Sequence, residues 1–90
     1  MSNRYPRIAI VTGATSGIGE ATARRFLAAG FAVVGNGRNG EKLARLASEL
    51  GSAFCAVAGD AADPATVDQF FASAQTHFGR AADIVVANAG

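Results

Sequence analysis

The sequence has little cysteine, little net charge and no long hydrophobic run. Cys55 is its one cysteine, so no disulfide can form within the chain, and we expect a reducing compartment, the cytoplasm. Eight basic and seven acidic residues leave a formal net charge of +1, which predicts no nucleic-acid partner and no acidic tail. No apolar stretch approaches the ~18 residues that span a bilayer. The first stretch, residues 8–11, is also too short for a signal-peptide core, so we expect no membrane partner.

Short apolar runs alternate with segments of helical spacing along the chain. Hydrophobic residues make up 50% of the 90 residues, which argues against disorder. The predicted strands are residues 8–11, 31–34, 53–58 and 84–87, and the predicted helices are residues 17–29, 41–50 and 64–78. This βαβαβαβ order predicts an α/β protein with a doubly wound, Rossmann-type parallel sheet in the strand order 3-2-1-4.

Local signals mark the ends of these predicted elements. Glycine and asparagine crowd residues 35–40, which predicts a turn after the second strand. Asp63 and Pro64 predict the start of the third helix, because Asp63 can accept a capping hydrogen bond and Pro64 lacks an N–H that would stay unpaired there. The apolar stripe of that helix, which includes Phe70 and Phe71, is predicted to lie in the core or at an interface.

The fourth predicted strand is very apolar, yet the strand order 3-2-1-4 places it at the edge of the sheet. Folded proteins cover such edges, because an unpaired apolar strand is prone to aggregate. We therefore expect further sequence beyond Gly90, or a partner chain, to lie beside this strand. In that interpretation the 90 residues form an incomplete domain.

The segment between the first strand and the first helix carries the strongest chemical signal. It reads Thr-Gly-Ala-Thr-Ser-Gly-Ile-Gly, a dinucleotide-binding fingerprint stretched by one or two residues. Gly13 would allow a tight turn, and Gly17 would let backbone amides approach a pyrophosphate closely. Gly19 would let the helix pack close to the sheet. The helix N-terminus supplies N–H groups and partial positive charge for phosphate. It is not a Walker A loop, because the required Lys-Ser/Thr is absent. A glycine-rich turn without a ligand is the alternative.

The end of the second strand discriminates between cofactors. An NAD site usually has an acidic residue there, roughly 20 residues after the glycines, to bind the ribose 2′-hydroxyl. Here the residues are Asn36, Gly37, Arg38 and Asn39, and no acid occurs before Glu41. A guanidinium can pair with a 2′-phosphate, whereas a carboxylate would repel it. Arg38 therefore favours NADP(H) over NAD; the alternative is a solvated turn arginine.

Four motifs, in this order, resemble those of the short-chain dehydrogenase/reductase family, and the resemblance covers the whole chain. The motifs are the glycine turn, Gly37-Arg38, Asp60 after the third strand, and residues 87–90, Ala-Asn-Ala-Gly, after the fourth. The family is a Rossmann-fold group of NAD(P)-dependent oxidoreductases. Its last motif usually reads Asn-Asn-Ala-Gly, so Ala87 is a departure, which we interpret as tolerated variation.

The resemblance also implies roles for individual residues. Asp60 is expected to bind the adenine amino group with Ala61 beside it, and residues 88–90 are expected to line the ribose side and brace the central sheet. Together with the turn residues, the predicted cofactor-binding residues are Gly13, Thr15, Ser16, Gly17, Ile18, Gly19, Gly37, Arg38, Asn39, Asp60, Ala61, Asn88, Ala89 and Gly90.

The catalytic residues of the family are missing from this sequence. The family uses a Tyr four residues before a Lys, and the Lys lowers the pKa of the Tyr for proton transfer. This chain has one tyrosine, Tyr5, and one lysine, Lys42. A lysine four residues after Tyr5 would be at position 9, which is Ala9. No catalytic residue is therefore predicted within the chain.

Two functions stay open at this point. In the first, residues 1–90 are the N-terminal dinucleotide-binding part of an NADP-dependent oxidoreductase, which transfers hydride between nicotinamide and a carbonyl or alcohol substrate. Its partners would be a small-molecule substrate, and further copies of the chain or the remainder of the enzyme. In the second, the chain is a non-catalytic nucleotide-binding module or a truncated product.

The remaining candidate residues predict no further site. His77 lies near the end of the third helix, where a cation suits the helix dipole, and no second ligand at a suitable spacing suggests a metal. Cys55 lies inside an apolar strand and is interpreted as a small buried hydrophobic residue.

Overall fold

The computed structural model describes residues 7–88, in which strands and helices alternate as predicted. The elements are β1 Ile8–Val11, α1 Gly17–Ala28, β2 Ala32–Gly37, α2 Gly40–Leu50, β3 Phe54–Ala58, α3 Pro64–Phe78 and β4 Ile84–Val86. None of the helices in this range is both long and apolar enough to cross a membrane.

The strands form one parallel sheet in the order β3-β2-β1-β4, which confirms the predicted fold class. The central strand β1 pairs with β2 on one side and with β4 on the other, so that Ile10 lies between Val34 and Val85. All four residues of β1 are completely buried. This explains why β1 reads as a continuous apolar run rather than as an alternating one.

Each face of the sheet has its own hydrophobic core. On one face, Ile8 and Ile10 pack with Phe70 and Ala74 of α3. On the other face, the core that contains Val11 is completed by Ala23 of α1 and by Leu43 and Leu46 of α2. Because all four strands are parallel, their carboxyl ends meet at one edge of the sheet.

The second strand is longer than the sequence predicts. It extends to Gly37, so the prediction of a turn over residues 35–37 is wrong. Asn36 is 2% exposed, and its Nδ2 donates to the carbonyl oxygens of Val57 and Gly59 at 3.0 Å each. Its own carbonyl accepts from the Ala14 N–H at 2.7 Å. Because its polar groups are satisfied, Asn36 can be buried within the strand.

The third helix begins as predicted but buries only part of its apolar stripe. The Asp63 side chain caps the helix by accepting from the Ala65 N–H at 3.0 Å. Phe70 is 2% exposed, whereas Phe71, the next residue along the helix, is 47% exposed. Of the two predicted places, the core is therefore excluded for Phe71 within residues 7–88, because adjacent helical residues point about 100° apart. An interface position for Phe71 stays a prediction.

The edge strand β4 is anchored at its start by a polar contact that the sequence analysis missed. The Asp83 carboxylate accepts from the Ile8 N–H at 2.8 Å, and the Asp83 N–H donates to the Ile8 carbonyl at 2.8 Å. Arg80 donates to the other carboxylate oxygen at 3.2 Å. Val85 in this strand is 52% exposed, in agreement with the predicted edge position. What covers the edge stays a prediction.

We predict that Asp63→Ala lowers the free energy of unfolding by about 1 kcal/mol, because it removes the cap of α3. Asp68→Ala is a matched control, since Asp68 is exposed on the same helix and carries the same charge. It should change the free energy of unfolding by less than about 0.5 kcal/mol. Urea unfolding of both variants checks the prediction, and equal losses would contradict the capping role.

Candidate functional site

A cleft of about 500 Å³ lies at the edge of the sheet where the strands end. Its lining residues are Gly13, Thr15, Ser16, Asn36, Gly37, Arg38, Asn39, Lys42, Asp60, Ala61, Ala62 and Asn88. They come from the end of β2 and from the segments that follow each of the four strands. In open α/β sheets, ligands bind outside the carboxyl ends of the strands, so the cleft occupies the expected place for a ligand.

The glycine turn brings the start of α1 against the end of β1. Gly13 has a φ of +62°, a left-handed conformation that favours glycine. A Cβ on Gly19 would lie 1.8 Å from the Gly13 carbonyl oxygen, so no larger residue fits there without a shift of the backbone. A Cβ on Gly17 would have no atom within 4 Å. The structure therefore gives Gly19 a packing role and leaves the space beside Gly17 open.

Ser16 holds the turn together through its hydroxyl group. As the N-cap of α1, it accepts from the Gly19 N–H at 3.1 Å, and it donates to the Gly13 carbonyl at 2.8 Å. The Asn88 Nδ2 donates to the same hydroxyl at 3.0 Å. The one hydroxyl proton of Ser16 is thus donated to the Gly13 carbonyl. Ser16 would have to break that hydrogen bond to donate to a phosphate.

The first turn of α1 presents two N–H groups without an acceptor. The N–H groups of Gly17 and Ile18 make no hydrogen bond to any residue within 7–88. Such groups carry the partial positive charge of the helix N-terminus and suit an anion. The Ile18 side chain beside them is 74% exposed. Open space and free donors therefore occur together at this point of the turn.

Asn88 joins the end of β4 to the end of β1. Its N–H donates to the Thr12 hydroxyl at 2.9 Å, and its Nδ2 lies 3.4 Å from the Gly13 carbonyl oxygen. The Thr12 N–H in turn donates to the Val86 carbonyl at 3.1 Å. These bonds correspond to the bracing role expected for Asn88, while its expected contact with ribose stays a prediction.

Opposite charges face each other at the rim of the cleft. The Arg38 Nη2 lies 3.5 Å from Asp60 Oδ1, with the two side chains 81% and 52% exposed. Asp60 Oδ1 also accepts from the Ala62 N–H at 2.9 Å. This backbone bond, and secondarily the Arg38 charge, lowers the pKa of Asp60, so its carboxylate is ionised at neutral pH. An ion pair this exposed contributes little to stability and leaves Arg38 available to a ligand.

The structure gathers most of the predicted binding residues around this one cleft. The predicted residues that line it are Gly13, Thr15, Ser16, Gly37, Arg38, Asn39, Asp60, Ala61 and Asn88. Gly17, Ile18 and Gly19 do not line it but form the adjoining first turn of α1. Ala89 and Gly90 lie outside the described residues, as does Tyr5.

Sequence reasoning missed three lining residues, namely Asn36, Lys42 and Ala62. A signal for Lys42 was present in its position: the Asn39 side chain caps α2 by accepting from the Lys42 N–H at 3.1 Å. An N-cap three residues before the single lysine places that lysine next to the Arg38 segment. Asn36 and Ala62 carried no comparable signal, because their place depends on contacts between strands.

Other reactive side chains lie away from the cleft. Cys55 is half-buried, and burial raises the pKa of its thiol, an effect that a hydrogen bond with Ser73 partly offsets. The sequence predicts a small buried hydrophobic residue; Cys55 does pack against the core of Ile8 and Ile10, but it is only partly buried there. His77 is exposed, and its ring meets the Phe78 ring edge-on, with the ring centroids 5.2 Å apart. Between residues 7 and 88, no group of three or more His, Cys, Asp or Glu could hold a metal ion.

A parallel sheet in the order 3-2-1-4, with a glycine turn and a cleft at the strand ends, defines a Rossmann-type protein. Residues 7–90 match the family described as short chain dehydrogenase. The chain therefore belongs to the short-chain dehydrogenase/reductase family, a group of oxidoreductases that use nicotinamide cofactors. This confirms the resemblance that the four motifs suggested.

Individual relatives support the same assignment. The chain is 48% identical over 81 residues to serine 3-dehydrogenase of Agrobacterium fabrum, which covers 90% of this chain and 32% of the relative. It is 40% identical over 83 residues to the NADP-dependent 3-hydroxy acid dehydrogenase YdfG of Salmonella typhi, which covers 92% of this chain and 33% of the relative. The chain thus spans about a third of the length of these curated relatives.

A solved structure also resembles this fold closely. The 3-ketoacyl-(acyl-carrier-protein) reductase of Brucella melitensis, crystallised with NADH, superposes with a TM-score of 0.81 at 40% sequence identity. The match covers 90% of this chain and 33% of the reductase.

We predict different effects for two neighbouring glycine substitutions. Gly19→Ala should lower the free energy of unfolding by about 2 kcal/mol or more, because its Cβ meets the backbone of the turn. Gly17→Ala should leave stability unchanged or raise it by less than about 1 kcal/mol, since its Cβ meets nothing and alanine favours the helix. Thermal unfolding of both variants measures their stability. A large loss of stability in Gly17→Ala would contradict the finding that the space beside Gly17 is open.

Proposed function

We propose that the cleft binds NADP(H). The first turn of α1 would hold the pyrophosphate, the cleft would take the adenosine, and Arg38 would bind the 2′-phosphate. The observation that carries the proposal is the guanidinium of Arg38 at the cleft rim directly after β2, where a carboxylate would favour NAD.

The residues present fit such a cofactor. The Gly17 and Ile18 N–H groups lack acceptors within the described chain, and no side chain fills the space beside Gly17. The volume of the cleft, about 500 Å³, falls within the range of about 300–1,000 Å³ of small-molecule sites. Asp60, ionised at the rim, could accept from the adenine amino group, as the family resemblance implies.

The preference for the phosphorylated cofactor depends on the end of β2. Gly37 ends this strand without a side chain, and Arg38 follows it at the rim. The relatives are associated with different nicotinamide cofactors: YdfG is an NADP-dependent enzyme, and the Brucella reductase was crystallised with NADH. The family alone therefore leaves the choice open, and the charge at Arg38 supports NADP(H).

For the whole protein we propose hydride transfer between the nicotinamide and a carbonyl or alcohol substrate. The cofactor, when bound, supplies the hydride chemistry. The residues of this chain bind and orient the cofactor, and the Tyr-x-x-x-Lys pair that moves the proton in the family is not among its 90 residues. The exposed apolar edge at β4 supports association with a further copy or with the rest of the enzyme.

The absence of that pair keeps a second function in view, a nucleotide-binding module without catalysis. The oxidation of NADPH by the full-length protein distinguishes the two functions. It would be followed at 340 nm with a panel of ketones and β-ketoesters. Turnover with any carbonyl compound supports the oxidoreductase. Saturable NADPH binding without turnover, in a protein that lacks a Tyr-x-x-x-Lys pair, supports the module.

We predict that Arg38→Gln weakens NADPH binding by at least tenfold and NADH binding by less than twofold. A charge-assisted hydrogen bond contributes roughly 1.5–3 kcal/mol, and only NADPH presents the phosphate to receive it. Fluorescence titration of the full-length protein measures both affinities. Arg25→Gln, which removes an exposed arginine from α1, is the control and should change neither. Equal losses for the two cofactors in Arg38→Gln would refute the assignment.

A further inference from the structure

Three charged residues line the cleft, and their charges do not sum to zero. Arg38 and Lys42 are cationic, and Asp60 is anionic. Arg38 shares its charge with Asp60 across 3.5 Å, so the positive charge of one residue at the rim is already matched before any ligand arrives. A phosphate monoester carries about −1.5 to −2 charges at neutral pH. Arg38 alone, paired with Asp60, therefore provides less positive charge than such a group calls for.

Lys42 is the cation at this rim that has no counter-ion. Its side chain makes no ion pair or hydrogen bond with another residue in the 7–88 range. The remaining arginines that form ion pairs there, Arg24 and Arg80, do not line the cleft. An unpaired ammonium on a flexible stem can follow a ligand phosphate at little cost in stability, because no existing contact is broken.

The local backbone keeps Lys42 close to Arg38. The Asn39 side chain accepts from the Lys42 N–H at 3.1 Å, and the Leu43 N–H donates to the Asn39 carbonyl at 3.0 Å. Leu43, next to Lys42, is 1% exposed and fixes this turn of α2 against the sheet. The backbone that carries both cations is therefore anchored on either side, although the cationic side chains themselves are exposed.

We propose that Lys42 is a second specificity-determining residue, which binds the 2′-phosphate of the cofactor together with Arg38, while Asp60 partly neutralises Arg38. This inference rests on the proposed function, because it concerns the same cleft. The alternative is a solvated lysine on the surface of α2. If Lys42 binds the 2′-phosphate, its loss weakens the binding of a nucleotide that carries this phosphate and not of one that lacks it. If Lys42 is a solvated surface lysine, its loss affects both affinities equally.

The test compares two small nucleotides that differ by this phosphate alone, adenosine 2′,5′-bisphosphate and 5′-AMP. Calorimetric titration of the full-length protein gives both affinities. Lys42→Gln should weaken binding of the bisphosphate by about fivefold, at the upper end of the effect of an exposed ion pair. It should leave 5′-AMP within twofold, and Lys42→Arg should restore most of the lost affinity.

Arg45→Gln is the matched control. Arg45 is exposed on the next turn of the same helix and does not line the cleft, and its loss removes the same charge. It should weaken the bisphosphate by less than twofold. An equal loss in Lys42→Gln and Arg45→Gln would show a general field effect and overturn the role of Lys42.

Failure of this inference can be told from failure of the proposed function. If the unmodified protein binds the two nucleotides equally, the preference for NADP(H) is wrong and the role of Lys42 falls with it. If the unmodified protein prefers the bisphosphate and Arg38→Gln abolishes the preference while Lys42→Gln preserves it, the role of Lys42 alone is wrong.

Discussion

The hydrogen bonds around the Ser16 hydroxyl are the interaction on which the rest of the site depends. This one group caps α1, closes the glycine turn onto Gly13 and receives the Asn88 amide from the end of β4. The absence of a Cβ on Gly19 lets the helix come close enough for these bonds to form. Two strands and a helix are thus fixed relative to one another at the mouth of the cleft.

On the other side of the cleft, the buried side chain of Asn36 also joins separate segments. Asn36 joins β2 to the end of β3 through its side chain and to the glycine turn through its carbonyl. Satisfied polar groups at the ends of buried strands specify one arrangement, because any other would leave them unpaired. The rim, in contrast, is built from exposed charges that can change partners when a ligand binds. Rigid support and an adaptable rim are therefore separate parts of the same site.

The sequence predicts local and topological features well, and contacts between distant segments poorly. The strand order and the Asp63 cap follow from spacing and from the chemistry of single residues, and both are confirmed. Asn36 looked like part of a turn because burial of its amide depends on β3, about 20 residues away. The pairing of Arg38 with Asp60 and the Asp83 contact with Ile8 likewise join positions far apart in the chain.

The parallel order also determines when the cleft can form. The bond between Asn88 and Thr12 joins residues 76 positions apart, and β1 gains its second neighbour only when β4 is present. Contacts at such separation form late, since the entropy of closing a long loop opposes them. On a ribosome, the glycine turn therefore emerges early but gains its bonds to Asn88 only after β4 has also emerged. A nucleotide that needs the finished turn would bind only to a nascent chain that has already exposed residue 88, because a shorter one lacks this support.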